Sequence, residues 1–154
     1  MANVTITDKN GNTFTFNDGD VERVSESITS EIDHSPMPMG GSMQAYGYDF
    51  NGVTKRITIS GVLTAATTTR ISGYDIKTIK EQKQYLESLM CGNQTAMTFS
   101  SEYADESSNM ESSTNLPYIT TFTDTKVFIE KMDFNHEAET PLALPFEISM
   151  IVAQ

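Results

Sequence analysis

The two histidines of the chain are its first candidates for catalysis or metal binding. His34 lies beside Ser35-Pro36, a loop-forming sequence, and neither histidine is accompanied by the G-x-S-x-G motif of many serine hydrolases. His136 begins the segment His-Glu-Ala-Glu-Thr, in which Thr140 stands where a zinc-binding H-E-x-x-H motif needs its second histidine. The sequence therefore favours neither a Ser-His-Asp triad nor a zinc site.

Acidic side chains alternate with other residues in two short segments. Asp18, Asp20 and Glu22 would share one face of a strand, which is an arrangement that paired catalytic carboxylates need, but Gly19 favours an exposed turn. Residues 8–12, Asp-Lys-Asn-Gly-Asn, begin like a calcium-binding loop but lack its later glycine and its bidentate glutamate. We therefore expect a solvated acidic edge in the first segment and a hairpin turn in the second.

The thiol and the regularly spaced lysines have structural explanations. Cys91 is predicted at the C-terminal end of a helix, where the helix dipole does not stabilise a thiolate, and a lone cysteine forms no internal disulfide. Lys77, Lys80 and Lys83 recur on the solvent-facing side of that helix, and the chain has no glycine-rich phosphate loop. The sequence therefore predicts no catalytic, cofactor-binding or metal-binding residue and no enzymatic activity.

Net charge narrows the functional classes further. Lys and Arg number 10 against 21 Asp and Glu, which gives a net charge of −11, and no basic residue occurs between Lys83 and Lys126. Because a nucleic-acid reader needs clustered cations to neutralise phosphates, the sequence argues against that class. No apolar stretch is long enough to span a membrane and the first residues do not resemble a signal peptide, so we expect a soluble protein of cytoplasmic origin without membrane contact.

Alternating apolar and polar residues predict strands along most of the chain. Residues 4–7 and 13–16 alternate on either side of Asp8–Asn12, which predicts a β-hairpin. Further strands are predicted at residues 20–33, 56–63, 95–100, 118–134 and 146–152. The dipeptide Asn51-Gly52 follows an alternating aromatic segment and predicts a second hairpin turn.

One helix is predicted near the middle of the chain. Thr78 and Glu81 have the Ser/Thr-x-x-Glu spacing of a capping box, and Gly92 stands where a left-handed C-terminal cap is common. The apolar face of this helix comprises Ile79, Leu86, Leu89 and Met90, with Tyr85 beside it. With strands on both sides and no second helix, we expect a mainly β, α+β fold: an antiparallel β-sandwich or half-barrel with one flanking helix, in a single domain over residues 1–154.

Two long loops are predicted, at about residues 35–49 and 101–115. Prolines and glycines in the first prevent a regular strand ladder, and its methionines are either flexible filler or an apolar surface that docks on a partner. The candidate docking side chains are Met37, Met39, Met43, Tyr46 and Tyr48. The second loop is acidic and almost without apolar residues. Its carboxylates include Glu102, Asp105, Glu106 and Glu111.

From about Phe50 onward the order of elements resembles a known family. The residues that carry the likeness are a strand ending ITISGVL, a helix ending YLESLMCG, a strand TAMTF, a loop, a strand VFIEKMDF and a closing strand PFEISMIVA. This order is similar to the tail-tube fold of contractile and long-tailed bacteriophages, in particular their baseplate and distal-tail members. The likeness includes no diagnostic catalytic residue.

The resemblance implies a structural subunit of a phage tail or baseplate, found in the virion and assembled in the host cytoplasm, with no cofactor. Subunits of that family form rings, usually of six, whose sheets join into a barrel around the channel through which DNA leaves. It implies that the loop at 35–49 docks on a neighbouring ring, with other tail-tube, baseplate or sheath proteins as partners. The acidic loop at 101–115 departs from the family pattern, and we place it on the outside.

Two functional expectations follow from charge and composition. Because acidic groups repel DNA, we predict that part of the acidity faces the channel, so that DNA slides without sticking. The alternative to a ring subunit is a small β-sandwich module that binds a ligand or carbohydrate. Such modules commonly use an aromatic platform with tryptophan, and the chain has no Trp.

Overall fold

In a computed structural model, the chain is described over residues 4–36, 45–101, 126–136 and 142–152, with residues 31–36 and 45–53 described by their backbone alone. This part of the chain contains seven strands and one helix. The strands are β1 (Thr5–Thr7), β2 (Thr13–Thr15), β3 (Val21–Pro36), β4 (Ala45–Thr64), β5 (Met97–Ser100), β6 (Lys126–Phe134) and β7 (Ala143–Val152). The helix, α1, is Ile79–Ser88.

The seven described strands form one antiparallel sheet in the order β2-β1-β5-β6-β7-β4-β3. The sheet is open but curled: Phe16, directly after β2, stacks on Phe146 of β7 with ring centroids 5.3 Å apart, although three strands separate β2 from β7. The expectation of a mainly antiparallel α+β fold with one helix is confirmed. The described strands form a single curled sheet and not a sandwich of two.

Apolar residues at alternate positions make one face of the sheet the core. On β4 these are Ile57, Ile59 and Leu63, and the register with β7 sets Ile59 opposite Ile148; all four are fully buried. Phe14 and Phe99 are the largest fully buried side chains of the described residues. Burial of each such side chain stabilises the fold by about 2 kcal/mol.

Helix α1 begins at the predicted capping box. Thr78 Oγ1 accepts a hydrogen bond from Glu81 N at 3.2 Å, and Glu81 Oε2 accepts one from Thr78 N at 3.0 Å. These bonds satisfy backbone donors that have no partner within the helix. Hydrogen bonds from the backbone N–H groups of Lys77 and Thr78 to the Glu81 carboxylate lower the pKa of that group. The prediction made for this helix start is confirmed.

The helix covers the core face and is tied to the end of β4. Leu86 is fully buried, and the ring of Tyr85 stacks on Phe14 with centroids 5.6 Å apart. Gln82, also buried, donates from Nε2 to the backbone oxygen of Thr64 at 2.9 Å. The single helix thus closes the open side of the curled sheet.

β3 and β4 form one long hairpin, which differs from the sequence expectation. They pair from Val21 to Pro36, and Asn51-Gly52 lies inside β4, so the prediction of a hairpin turn at this dipeptide is wrong. The pairing shifts between Glu31 and Ile32, whose partners are Gly52 and Asp49, which leaves two extra residues in β4. The dipeptide that favours a turn is accommodated here by a β-bulge, because β3 supplies a partner strand on both sides of it.

The predicted long loops fall mostly outside the described residues. Because β3 extends to Pro36 and β4 begins at Ala45, strands occupy both ends of the segment predicted as a loop at 35–49, and residues 37–44 are not described. The predicted acidic loop at 101–115 lies outside the described part except for Ser101, and the described portion of the strand predicted from residue 118 begins at Lys126.

Candidate assembly surfaces

β3 forms an open border of the sheet. It pairs with β4 along one side, and no strand of the described residues pairs with its other side. From Glu22 to Ser30 its side chains are exposed or half-buried, and Ile28 is 59 % exposed. Every second backbone amide of such a strand points away from its partner. β3 therefore presents a row of backbone donors and acceptors that another strand could pair with.

The hairpin of β3 and β4 continues past the rest of the sheet. β4 pairs with β7 only from Arg56 to Thr64, so residues 45–55 have β3 as their sole described partner. We call residues 29–36 and 45–54 the arm. At about 3.3 Å per residue, the β3 strand of the arm extends roughly 25 Å beyond the sheet. The end of the arm is therefore far from the core that stabilises the subunit.

The opposite border, at β2, is covered by the chain itself. Thr15 N donates to Arg70 O at 3.1 Å, and Phe14 forms an isolated antiparallel bridge with Ile71. We call residues 69–76 the covering segment. Thr69 Oγ1 holds it together by donating to Ile71 O at 3.0 Å and accepting from Ile76 N at 3.1 Å. The covering segment occupies positions where another strand would otherwise pair.

Asp20 anchors the start of β3 to the end of β4. Its carboxylate accepts hydrogen bonds from Thr64 Oγ1 at 2.7 Å and from Thr64 N at 3.2 Å, and its backbone oxygen accepts one from Val62 N at 2.8 Å. Gly61 permits this approach, because a Cβ at that position would lie 1.9 Å from the Asp20 oxygen. The open border is therefore firmly held where it begins.

Arg70 links the covering segment to the same anchor. Its Nη2 lies 3.9 Å from Asp20 Oδ2, with both side chains buried. Burial lowers the pKa of Arg70, an effect that the charge of Asp20 partly offsets, and among the described residues Nε and Nη2 have no hydrogen-bond partner. The prediction of a solvated acidic edge at Asp18, Asp20 and Glu22 is therefore wrong for Asp20, which is buried. The other two residues are exposed.

Asp8 organises the turn between β1 and β2. Its Oδ1 accepts from the backbone N of Asn10 at 2.8 Å and of Asn12 at 2.9 Å, and its Oδ2 accepts from Tyr85 Oη at 3.2 Å. Burial raises the pKa of Asp8, but hydrogen bonds from Asn12, Asn10 and Tyr85 outweigh it and lower the pKa overall. The hairpin-turn interpretation of residues 8–12 is confirmed.

Among the described residues, no three His, Cys, Asp or Glu side chains are grouped for metal binding.

The face of the sheet opposite the core, which we call the polar face, carries many hydroxyl groups. Every described strand except β6 contributes them: Thr5, Thr7, Thr13, Thr15, Ser25, Ser27, Thr58, Ser60, Thr98, Ser100 and Ser149. Its charged side chains are Arg23, Arg56, Lys126, Glu130, Lys131, Asp133 and Glu147. Two oppositely charged pairs lie within it, Arg56 with Glu130 at 3.1 Å and Lys131 with Asp133 at 3.0 Å. The polar face is therefore mixed in charge and not acidic.

The candidate residues from the sequence are distributed unevenly over the described structure. Tyr46 and Tyr48 belong to the β4 strand of the arm, where the backbone alone is described. Outside the described residues lie Met37, Met39, Met43, Glu102, Asp105, Glu106 and Glu111. His136 and Cys91 are exposed. No described helix has the length and apolar character needed to cross a membrane.

Comparison with known proteins identifies the fold. No protein-family model and no curated protein matches the sequence. The structure is similar to a chain from the tail of an empty gene transfer agent particle with C6 symmetry, at a TM-score of 0.54 and 9% identity, over 99% of this chain and 91% of that one. It is also similar to a chain of the native gene transfer agent virion, at a TM-score of 0.53 and 10% identity, over 98% and 91%. The chain therefore has the fold of a component of these phage-like particles.

Proposed function

We propose that this chain is a structural, non-enzymatic subunit of a phage-like tail and that its copies form a closed ring. The observation that carries the proposal is the contrast between a covered border at β2 and an open border at β3 that continues into the arm. A long open border is a liability in a monomer and a pairing site in an assembly. The likeness to a gene transfer agent tail chain supports a tail as that assembly.

The ring has six copies in this proposal, because the similar tail chain comes from an assembly with C6 symmetry. A ring of this kind uses heterologous contacts, in which one surface of a subunit meets a different surface of its neighbour. The partners would be other tail-tube, baseplate or sheath proteins, and the protein would be part of the virion. The arm is the surface we assign to contacts between successive rings.

We assign the polar face to the channel and the helix-covered core side to the outside of the ring. Hydroxyl groups hydrate well and carry no charge, and clustered cations that would bind phosphates are not found on the described polar face. DNA would therefore pass without being held. An acidic contribution to the channel would have to come from residues outside the described part, and the loop at 101–115 stays assigned to the outer surface.

The alternative, a ligand-binding module, has less support. Among the described residues the exposed large apolar side chains are Ile28, Tyr74 and Leu142. They lie on β3, in the covering segment and just before β7, so the described residues form no aromatic platform for a sugar ring. This distribution favours the ring subunit.

A matched pair of lysine substitutions tests the proposal. Ile28→Lys adds a charge at the open border, and Thr13→Lys adds the same charge at an exposed position of the covered border. We expect wild-type protein and Thr13→Lys to form rings in native mass spectrometry and electron micrographs, and Ile28→Lys to remain a folded monomer. A wild-type protein that stays monomeric at high concentration and never enters tail particles would contradict the proposal.

A further inference from the structure

Strands β2 and β3 follow one another in the chain but lie at opposite borders of the sheet. Only residues 16–20 join them, a length that is typical of β-hairpin connections. Within this link, Asp20 N donates to Asn17 O at 3.0 Å, and Gly19 has a φ of +87°. Such a hydrogen-bonded turn reverses the chain direction, as it does between the paired strands of a hairpin. The local structure therefore favours pairing of β2 with β3, which the described sheet does not contain.

The covering segment takes the place beside β2 that β3 would take in such a hairpin. β1 pairs with one side of β2, and Phe16 N, which points to that side, donates to Val4 O at 3.0 Å. On the other side, Thr15 N donates to Arg70 O at 3.1 Å. Because a strand has only two sides for pairing, β2 cannot pair with β3 while the covering segment is in place.

The covering segment is held by contacts with the core, with its own base and with the start of β3. Ile71 is 1% exposed and belongs to the core. At the base of the segment, Ala66 N donates to Lys77 O at 2.9 Å. The Arg70 guanidinium lies 3.9 Å from the carboxylate of Asp20, the residue directly before β3. The segment is therefore fixed against both strands that the link joins.

The side chains of β2 and β3 would suit direct pairing. Phe14 of β2 belongs to the core and Val24 of β3 packs against it, while Thr13 and Arg23 lie on the polar face. Since both strands already direct their apolar side chains to the same face of the sheet, neither would have to turn over in order to pair. The side-chain pattern of the two strands is therefore not what keeps them apart.

We propose that the covering segment is a conformational device that prevents β3 from pairing with β2 of its own chain. It thereby keeps the beginning of β3 open for another subunit, a role that rests on the proposed ring function. The competition between the segment and β3 for β2, in contrast, belongs to the single chain. Without the segment, the outward N–H and C=O groups of β2 and β3 would satisfy one another. Because β2 is only three residues long, this closure would occupy the first residues of β3.

Excision of the covering segment tests this role directly. Because Ala66 N bonds to Lys77 O, residues 67–76 can be replaced by Asn-Gly, a preferred sequence for a two-residue hairpin turn. The measurement is amide hydrogen exchange at residues 21–25, in protein diluted below the concentration at which rings form. We expect the amides that point away from β4 to exchange about tenfold more slowly in the excised variant than in the wild type. Ring formation by the concentrated variant should fall.

A disulfide trap in the full-length chain tests the same closure without excision. Thr13 and Arg23 lie equally far from the link, so in a hairpin they would face each other. Thr13→Cys and Arg23→Cys, with Cys91→Ser to remove the natural thiol, can form a disulfide only when their Cα atoms approach within about 7 Å. Neighbouring strands lie about 5 Å apart and meet this condition.

A matched pair of substitutions in the covering segment controls the trap. Ile71→Ser removes the buried anchor of the segment, whereas Tyr74→Ser changes a side chain of the same segment that is 55% exposed. After mild oxidation of the diluted protein, we expect the intramolecular disulfide to form rapidly with Ile71→Ser. With Tyr74→Ser it should form as slowly as with the unaltered segment. Free-thiol mass labelling measures both rates.

The outcomes separate this device from the ring. Unchanged exchange at residues 21–25 in a folded excised variant, or equal trapping with Ile71→Ser and Tyr74→Ser, would overturn the device. If the excised variant shows no cooperative unfolding in urea, the trap alone decides. Wild-type protein that forms no ring, while the exchange and trapping results hold, would count against the proposed function and not against the competition for β2.

Discussion

The two borders of the sheet differ in whether the chain itself covers their outward-facing backbone groups. At β2, the covering segment satisfies an outward backbone donor and blocks further pairing. At β3, no described residue performs that role along a strand of 16 residues. Strand pairing with another chain is therefore open at β3 and blocked at β2. In the proposed ring, a neighbouring subunit would meet β3 with a surface other than its covered border.

The largest effect is expected from proline on the open border. Consecutive residues of β3 direct their N–H groups alternately towards β4 and outwards, so Ser27→Pro and Ile28→Pro remove one donor of each kind. The variant that loses the outward donor should remain folded and lose ring formation completely. The variant that loses the donor to β4 should lose ring formation and also unfold more easily. Native mass spectrometry and urea unfolding separate the two results. If both variants assemble like the wild type, β3 is not the interface.

A smaller but still large effect is expected where the open border is anchored. In Gly61→Ala the new Cβ would overlap the Asp20 oxygen, so the backbone must shift and the bond from Val62 N weakens. We expect a loss of about 3 kcal/mol in the free energy of unfolding. Ser60→Ala, at the half-buried neighbouring position, is the control and should change it by less than about 0.5 kcal/mol. Equal effects of the two substitutions would show that the backbone of Gly61 does not lie close to the Asp20 oxygen.

The covered border at β2 should be loosened by one substitution in the covering segment. Thr69→Val keeps the shape of the side chain but removes the acceptor for Ile76 N and the donor to Ile71 O. We expect a loss of about 1–2 kcal/mol and faster hydrogen exchange at the Thr15 amide, whose partner belongs to the covering segment. Thr68→Val, at an exposed neighbour, is the control. Unchanged exchange at Thr15 would mean that Thr69 does not hold the cover in place.

The smallest effect concerns the pH dependence of the turn next to the covered border. The lowered pKa of Asp8 means that its stabilising contribution is complete above the ordinary value of 3.8 and is lost as the pH falls through the folded-state pKa. The difference in unfolding free energy between wild type and Asp8→Asn should therefore be constant near neutral pH and shrink in strongly acidic solution. Urea unfolding at several pH values measures it, and a difference that persists unchanged at low pH would contradict this role.

Elements with local determinants could be predicted from the sequence. The capping box depends on Thr78 and Glu81, which are three residues apart, and the β1–β2 turn depends on Asp8 and the two asparagines that follow it. In both cases the side chain satisfies backbone groups of its own neighbours. The residue types and their spacing are therefore sufficient to predict the helix start and the turn.

Features that depend on distant partners could not be predicted. The connection after β4 is polar and rich in threonine, and its role as a cover depends on Phe14 and Thr15 being brought next to it. Asn51-Gly52 has the local signal of a turn, but the pairing strand is supplied by residues far earlier in the chain. Asp20 is buried because the pairing of β3 with β4 brings Thr64 next to it and the covering segment brings Arg70.

The polar face determines how a surrounding ring would respond to salt. A surface that binds DNA through clustered cations releases counterions, so its grip weakens steeply as ionic strength rises. On the polar face, hydroxyl groups predominate and the pairs Arg56–Glu130 and Lys131–Asp133 neutralise each other locally. In the proposed ring, a charged polymer that moved along this face would displace few ions. Its passage would therefore change little between dilute and concentrated salt.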